Sequence, residues 1–436
     1  MRRNPRRMLP VLMGGGGPGI SLPDSVFNFL PFYIKDDGDG TFSIDPNFVL
    51  RTHAGVAVSK TYYVKPEADG GSDAANGLTE ATAFASINRA LSRSDVDRVM
   101  VKAGIYGTTV YPASHSWTNN SPARSIEVIG YGGQVISTSA IEFASLTWTA
   151  VGNHYEASYA VAVYGVWDAK TPDANDDYVP LTLGANVADV DGNPGKWFYD
   201  AVADVIYVRT SDSRAPDIDI FCFISIGNGR MDDAVTYYIE GIDFYGGSNA
   251  FLLSTTAACK LYFKDCEFKY TGGTAFAITG GAEIITENCL ASRSIGGDAI
   301  HFEVSGGIQT ANAILINTIG RYAGEAGDTV INGYSRHGPG YTITINCEFH
   351  HNYGPNIASI ADGTKEWHIG VNCHDQLANN YNYSYDNESI TWLETCISAD
   401  APVADLFAYA ATTKIYYRNM TPATPTTGGA GTIATY

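Results

Sequence analysis

From about residue 235 onward, short runs with alternating polar and apolar positions each reach a two-residue mark and then break at a glycine-rich turn. The marks are Gly241-Ile242, Asp265-Cys266, Asn288-Cys289, Asn317-Thr318, Asn346-Cys347, Asn372-Cys373, Thr395-Cys396 and Asn419-Met420, spaced 24, 23, 29, 29, 26, 23 and 24 residues apart. Alternation with period two predicts strands, and a 20–30-residue repeat without a helical half predicts a β-solenoid in which each turn lies on the next. Equivalent residues then stack in ladders about 4.8 Å apart. Cys, Thr and Met at the second mark position predict an inward stack, which gives Cys289, Cys347 and Cys373 a packing role. The asparagines at 288, 317, 346, 372 and 419 suit a tight left-handed bend and amide stacking along the axis.

Upstream the pattern changes. Tyr62-Tyr63-Val64 reads as a strand, Asp69–Gly77 as a polar loop, Ala83–Leu91 as a short helix and Arg98–Val101 as a strand closed by Gly104-Ile105-Tyr106. Residues 151–232 interrupt the repeat. Within them, Lys196–Asp200 and Val205–Arg209 predict a two-stranded hairpin, and Tyr155, Tyr164, Trp167 and Trp197, with Trp148 just before them, predict a packed side domain or a sugar-stacking surface. Residues 1–58 open with four arginines (2, 3, 6 and 7) and a glycine-rich hinge, followed by an apolar run (Val26 to Ile34) that predicts docking onto a partner surface. The expected division is therefore 1–58 attachment segment, 59–150 entry with capping helix, 151–232 inserted β domain, 233–420 coil and 421–436 tail.

Composition agrees with an all-β chain. Apolar residues make up 45%, charged residues only 17%, and there are 46 glycines and 28 tyrosines among 436 residues. The formal net charge of −19 argues against a phosphate backbone or an anionic membrane as partner. No run of 18 apolar residues predicts a transmembrane helix. The apolar stretch after the first arginines is short and holds Pro10, so no secretory signal is expected. Seven cysteines without a CxxC pair predict neither a disulfide framework nor a zinc site, in keeping with a reducing cytoplasm.

The ordered set from Tyr62 to Tyr106 resembles the amino-terminal entry of right-handed parallel β-helix proteins of the pectate-lyase-like superfamily, in which a helix caps the coil. Residues 240–420 resemble the later coils of phage tailspikes and related particle proteins through Gly327-Asp328, Asn332-Gly333-Tyr334, His337, Asn346-Cys347, Asn352-Tyr353-Gly354 and Trp392–Cys396, with Thr329 where that pattern has a second glycine. The resemblance implies a spike or tail-fibre subunit of a phage or phage-like particle, assembled in the host cytoplasm and displayed on the particle surface. Such a subunit attaches to a particle protein through its N-terminal segment, forms a homotrimer and recognises bacterial surface polysaccharide, with or without cleavage. The alternatives are a non-enzymatic receptor-binding or structural spike and a free polysaccharide lyase.

Two turns concentrate the candidate chemistry. Aligned by the marks, Asp298 and Asp328 occupy near-equivalent positions, the spacing at which a carboxylic acid and a carboxylate hydrolyse a glycoside. His301 and Glu303 share a strand face, and with the two aspartates they are the candidate catalytic residues. Arg321, Tyr322, Glu325, Tyr334, Arg336 and His337 are the candidate substrate contacts. A lyase would instead draw on His301 or His337 as base, with Arg321 or Arg336 steadying the enolate. No metal site or cofactor is expected, and the adjacent His350 and His351 would point to opposite faces of a strand.

Overall fold

The computed structural model describes residues 20–107, 124–140, 146–170, 172–217, 219–224, 227–231, 234–303, 312–360, 363–378, 380–422 and 425–436. The chain is a right-handed parallel β-helix whose coil is one sheet of 26 strands, with every pairing in it parallel. Each turn contributes to three ladders. Ladder A runs from Thr61–Val64 through Thr236–Glu240, Gly340–Ile345, Thr364–Ile369 and Ile390–Glu394 to Thr432–Thr435. Ladder B includes Ile242–Tyr245, Glu267–Thr271, Leu290–Ser294, Ile319–Ala323, Glu348–His350 and Asn372–His374. Ladder C includes Ile300–Glu303, Tyr334–His337, Ile357–Ser359 and Tyr381–Tyr385.

The bend from A to B is the mark. Asp265, Asn288, Asn317, Asn346, Thr395 and Asn419 all have φ between 49° and 56°, the left-handed region that asparagine tolerates best. The Asn288 amide donates to Asp265 (3.2 Å) and the Asn317 amide to Asn288 (3.1 Å), so this part of the amide stack forms as expected. One turn departs. There the bend is taken by Gly370 (φ 61°), and Asn372 lies two residues on, in ladder B beside Glu348. A glycine enters the left-handed region without steric cost, so the mark had drifted off the bend. The seven cysteines are free and buried, and burial pushes the Cys347 and Cys396 thiols up to about 12. They are packing residues.

A helix at Ile87–Leu91 buries Ile87, Ala90 and Leu91 over the amino-terminal end of the core. The expected tail continues the coil instead: Thr427–Gly429 pairs with ladder C and Thr432–Thr435 with ladder A. The insert has a small core of its own and packs on the coil. Lys196–Asp200 and Val205–Arg209 form the predicted antiparallel hairpin in a five-stranded sheet, and Val163–Asp168 pairs with Ile220–Ile224. Trp197 (5% exposed) lies in its core and Trp167 (1%) packs between it and the coil, 5.8 Å from Tyr270, which settles both as packing residues.

The apolar N-terminal segment does not wait for another protein. Residues 20–54 lie along the outward face of ladder A, whose apolar side chains Ile343, Ile345, Trp367, Ile369 and Trp392 they cover. Phe27 is fully buried, its ring 5.8 Å from both Trp367 and Trp392. Lys365 ties to Asp24 (2.7 Å), and Arg51 to the buried Glu127 (2.7 Å). At the carboxyl-terminal end Ile415 is in the core and Tyr416 stacks on Trp392. The apolar run that predicted docking onto a partner surface thus packs against ladder A of its own chain. The four arginines and the hinge of the attachment expectation lie outside the described residues.

Candidate functional site

Strand alternation on ladder C sends Ile300, Phe302, Tyr334 and Arg336 inward and His301, Glu303, Ser335 and His337 outward. The register sets His301 beside Ser335 and Glu303 beside His337 in the next turn. The two imidazoles are therefore diagonal neighbours, with ring centroids 4.6 Å apart and planes at 66°.

Asp298 sits on the bend just before this strand, 8% exposed, and four donors converge on it. The Asn332 backbone N–H (2.6 Å) and side-chain amide (3.1 Å) donate to Oδ1, the Ser335 hydroxyl donates to Oδ2, and His301 Nδ1 lies 2.9 Å from the same Oδ2. Asp298 orients His301 and leaves its Nε2 on the open side, 3.7 Å from Oε2 of the half-exposed Glu303. His337 is held neutral by burial and by the neighbouring His301, which push its pKa below the ordinary imidazole value. Ser335 is fully buried and touches Nδ1 of His301 (2.8 Å), the same nitrogen that faces Asp298. A serine nucleophile needs the opposite nitrogen, so this is not a nucleophilic triad.

The other candidates go elsewhere. The residue registered against Asp298 is Asn332; Asp328 lies four positions earlier and accepts a hydrogen bond from the Glu325 backbone (2.7 Å), closing its own turn. The expected pairing of the two aspartates as acid and base is corrected accordingly. Glu325 is exposed on that turn. Tyr334 and Arg336 are corrected as well, because both point into the core. Tyr334 donates to Glu366 (2.7 Å) and contacts Thr342 (2.8 Å), and Arg336, 1% exposed, donates to Thr342 (3.0 Å).

Arg321 and Tyr322 are on ladder B, against the insert. Arg321 reaches Asp177 (3.1 Å) and Asn175 (3.2 Å), and Tyr322 accepts from the Asn175 amide (2.7 Å) beneath the Arg293 guanidinium. They fasten the insert to the coil. Asp177, completely buried, also meets Lys269 (2.8 Å), and these cations hold its carboxyl below the usual range against the cost of burial.

A second histidine group lies on ladder B. His351 takes φ 55° at the end of its strand and so turns back toward its neighbour: His350 and His351 come within 2.5 Å through their Nδ1 atoms, rather than pointing to opposite faces. His350 also stacks on His374 (4.8 Å), which bridges Glu348 and Asp375 (2.7 Å each).

Sequence reasoning missed Asn332 and Ser335, the two residues that hold Asp298. Their signal is the 34-residue spacing of ladder C at this turn, against 29 for the marks.

No protein-family model and no curated protein sequence matches the chain. Solved structures do. A protein described as a glycoside hydrolase aligns over 86% of this chain and 96% of its own, at 10% identity and TM-score 0.50. The pectate lyase Pel9A aligns over 83% and 81%, at 12% identity and TM-score 0.37, and the tailspike protein gp49 from Pseudomonas phage LKA1 over 85% and 78%, at 12% and 0.24. At such identities the likeness is one of fold: the right-handed parallel β-helix.

Proposed function

We propose that this protein binds a polysaccharide along the outward face of ladder C, with His301, Glu303 and His337 at the contact and Asp298 positioning them. The observation that supports this is the convergence of two imidazoles and an exposed carboxylate on two adjacent columns of ladder C, beside small side chains. Ala277 lies one turn before His301, and Ser335 and Ala358 one and two turns after it. Hydroxyl groups of sugars pair with such planar polar groups, and a coil that repeats about every 4.8 Å offers a linear polymer a similar surface turn after turn. A carbohydrate ligand is also in keeping with the glycoside hydrolase that shares the fold.

The finer form of the proposal is a spike or tail-fibre subunit recognising a bacterial surface glycan, and it rests on the sequence resemblance over residues 240–420. Cleavage is a second reading, favoured by the row Asp298–His301–Glu303: an oriented imidazole beside an exposed carboxylate is equipped for proton transfer.

The test is affinity electrophoresis of the full chain through gels holding bacterial capsular polysaccharides and exopolysaccharides, with reducing ends and unsaturated-uronate absorbance measured in parallel. Retardation by at least one polymer, lost in Glu303→Gln and His301→Ala, is expected. Retardation that survives both substitutions moves the site off ladder C, and no retardation by any polymer overturns the proposal.

A further inference from the structure

We propose that Asp298, His301 and His337 form a binding site for one divalent transition-metal ion of the zinc type. Each offers one ligand atom, and the three atoms lie within 4.8 Å of one another. An ion with bonds of about 2.0–2.2 Å closes that spread after small side-chain rotations. Two imidazole nitrogens and one carboxylate oxygen suit zinc, cobalt or nickel, whereas calcium and magnesium want oxygen donors.

Three further observations mark a built site rather than a chance cluster. Asp298 is fixed from behind by Asn332 and Ser335, the kind of outer support that orients a ligating carboxylate. The Nε2 atom of His337 is buried without a hydrogen-bond partner. The nearest neighbours of His301 in its column, Ala277 and Ser335, and Ala358 beyond Ser335 carry small side chains. Three protein ligands leave a coordination position open toward solvent, and Glu303, near His301 Nε2, stands at its rim. Sequence reading passed over this set because its histidines are 36 positions apart and meet only through the ladder. The inference rests on the geometry of these side chains alone and stands or falls separately from the polysaccharide proposal.

The test is isothermal titration of the full chain, stripped with EDTA, with zinc chloride and separately with calcium chloride. Saturable binding of one zinc per chain and none of calcium is expected. His337→Ala should weaken zinc binding by about tenfold or more, while His350→Ala, in the other histidine group, should leave it unchanged. Added cobalt(II) on the unaltered chain should give a visible absorption band that zinc abolishes, a readout that depends on no variant. Absence of saturable zinc binding and of the cobalt band, or loss of binding in His350→Ala but not in His337→Ala, overturns the site.

Discussion

Asn346 and Phe42, 304 positions apart, bind each other backbone to amide: the Asn346 Nδ2 donates to the Phe42 carbonyl (2.6 Å) and the Phe42 N–H donates to Asn346 Oδ1 (3.2 Å). The bend asparagine here leaves the axial amide stack and acts as a clasp for the N-terminal strap. Replacing it separates two effects. Asn346→Gly keeps the left-handed bend and loses both hydrogen bonds, for about 1–2 kcal/mol. Asn346→Ala loses the same hydrogen bonds and, unlike glycine, keeps a Cβ at φ 50° without asparagine's tolerance of that region, for about 1 kcal/mol more. Trypsin should cut the strap at Lys35 and Arg51 sooner in both variants, with the lower melting temperature in Asn346→Ala. Unchanged proteolysis would show that the apolar contacts of Phe27 suffice.

Asp177 joins the insert to ladder B through Lys269, Arg293 and Arg321. Asp177→Ala leaves buried cations uncompensated and should cost about 3–5 kcal/mol. Its folded pKa lies below the ordinary carboxylate value, so the stability it contributes is complete above pH 3.8 and is lost as pH falls through the folded value. Urea unfolding followed by tryptophan fluorescence, which reports on Trp167 and Trp197 of the insert, measures the loss.

His350 is pushed down to about 4, chiefly by burial, with His374, His351 and Arg321 opposing its charge and Glu348 favouring it. Between its unfolded value near 6.5 and this folded value, the unfolded chain binds a proton that the folded chain refuses. Stability therefore falls as pH is lowered from 6.5 toward 4. His374 works in the opposite sense, since Glu348 raises its pKa. Melting temperatures across this range should drop more steeply in the unaltered chain than in His350→Gln; equal slopes would place the titration elsewhere.

Tyr334 and Asp328 distinguish packing from recognition. Tyr334→Phe removes a buried hydroxyl bonded to Glu366 and Thr342 and should cost about 1–2 kcal/mol without altering polysaccharide retardation. Asp328→Asn loosens one exposed turn and should leave retardation unchanged. Loss of binding in either folded variant would return these residues to the contact surface.

The solenoid, all of its bends but the one that Gly370 takes, the inward cysteines, a capping helix within Ala83–Leu91 and the hairpin of the insert were determined by the sequence itself. Each follows from a local rule: alternation with period two, a left-handed bend that asparagine accepts, a turn that closes a hairpin. The site was only half legible. The marks lie on the bend from ladder A to ladder B and so register those two ladders. The connection from B to C varies freely in length, from Ser294 to Ile300 in one turn and from Ala323 to Tyr334 in the next. That difference displaces ladder C by five residues, which puts Asn332 rather than Asp328 beside Asp298, and Ser335 beside His301. It also turns Tyr334 and Arg336 into the core, since side-chain direction alternates at every step. Likewise, a run from Val26 to Ile34 states that an apolar surface must be covered. Only the folded coil, with Trp367 and Trp392 exposed along ladder A until the strap lies over them, decides what covers it.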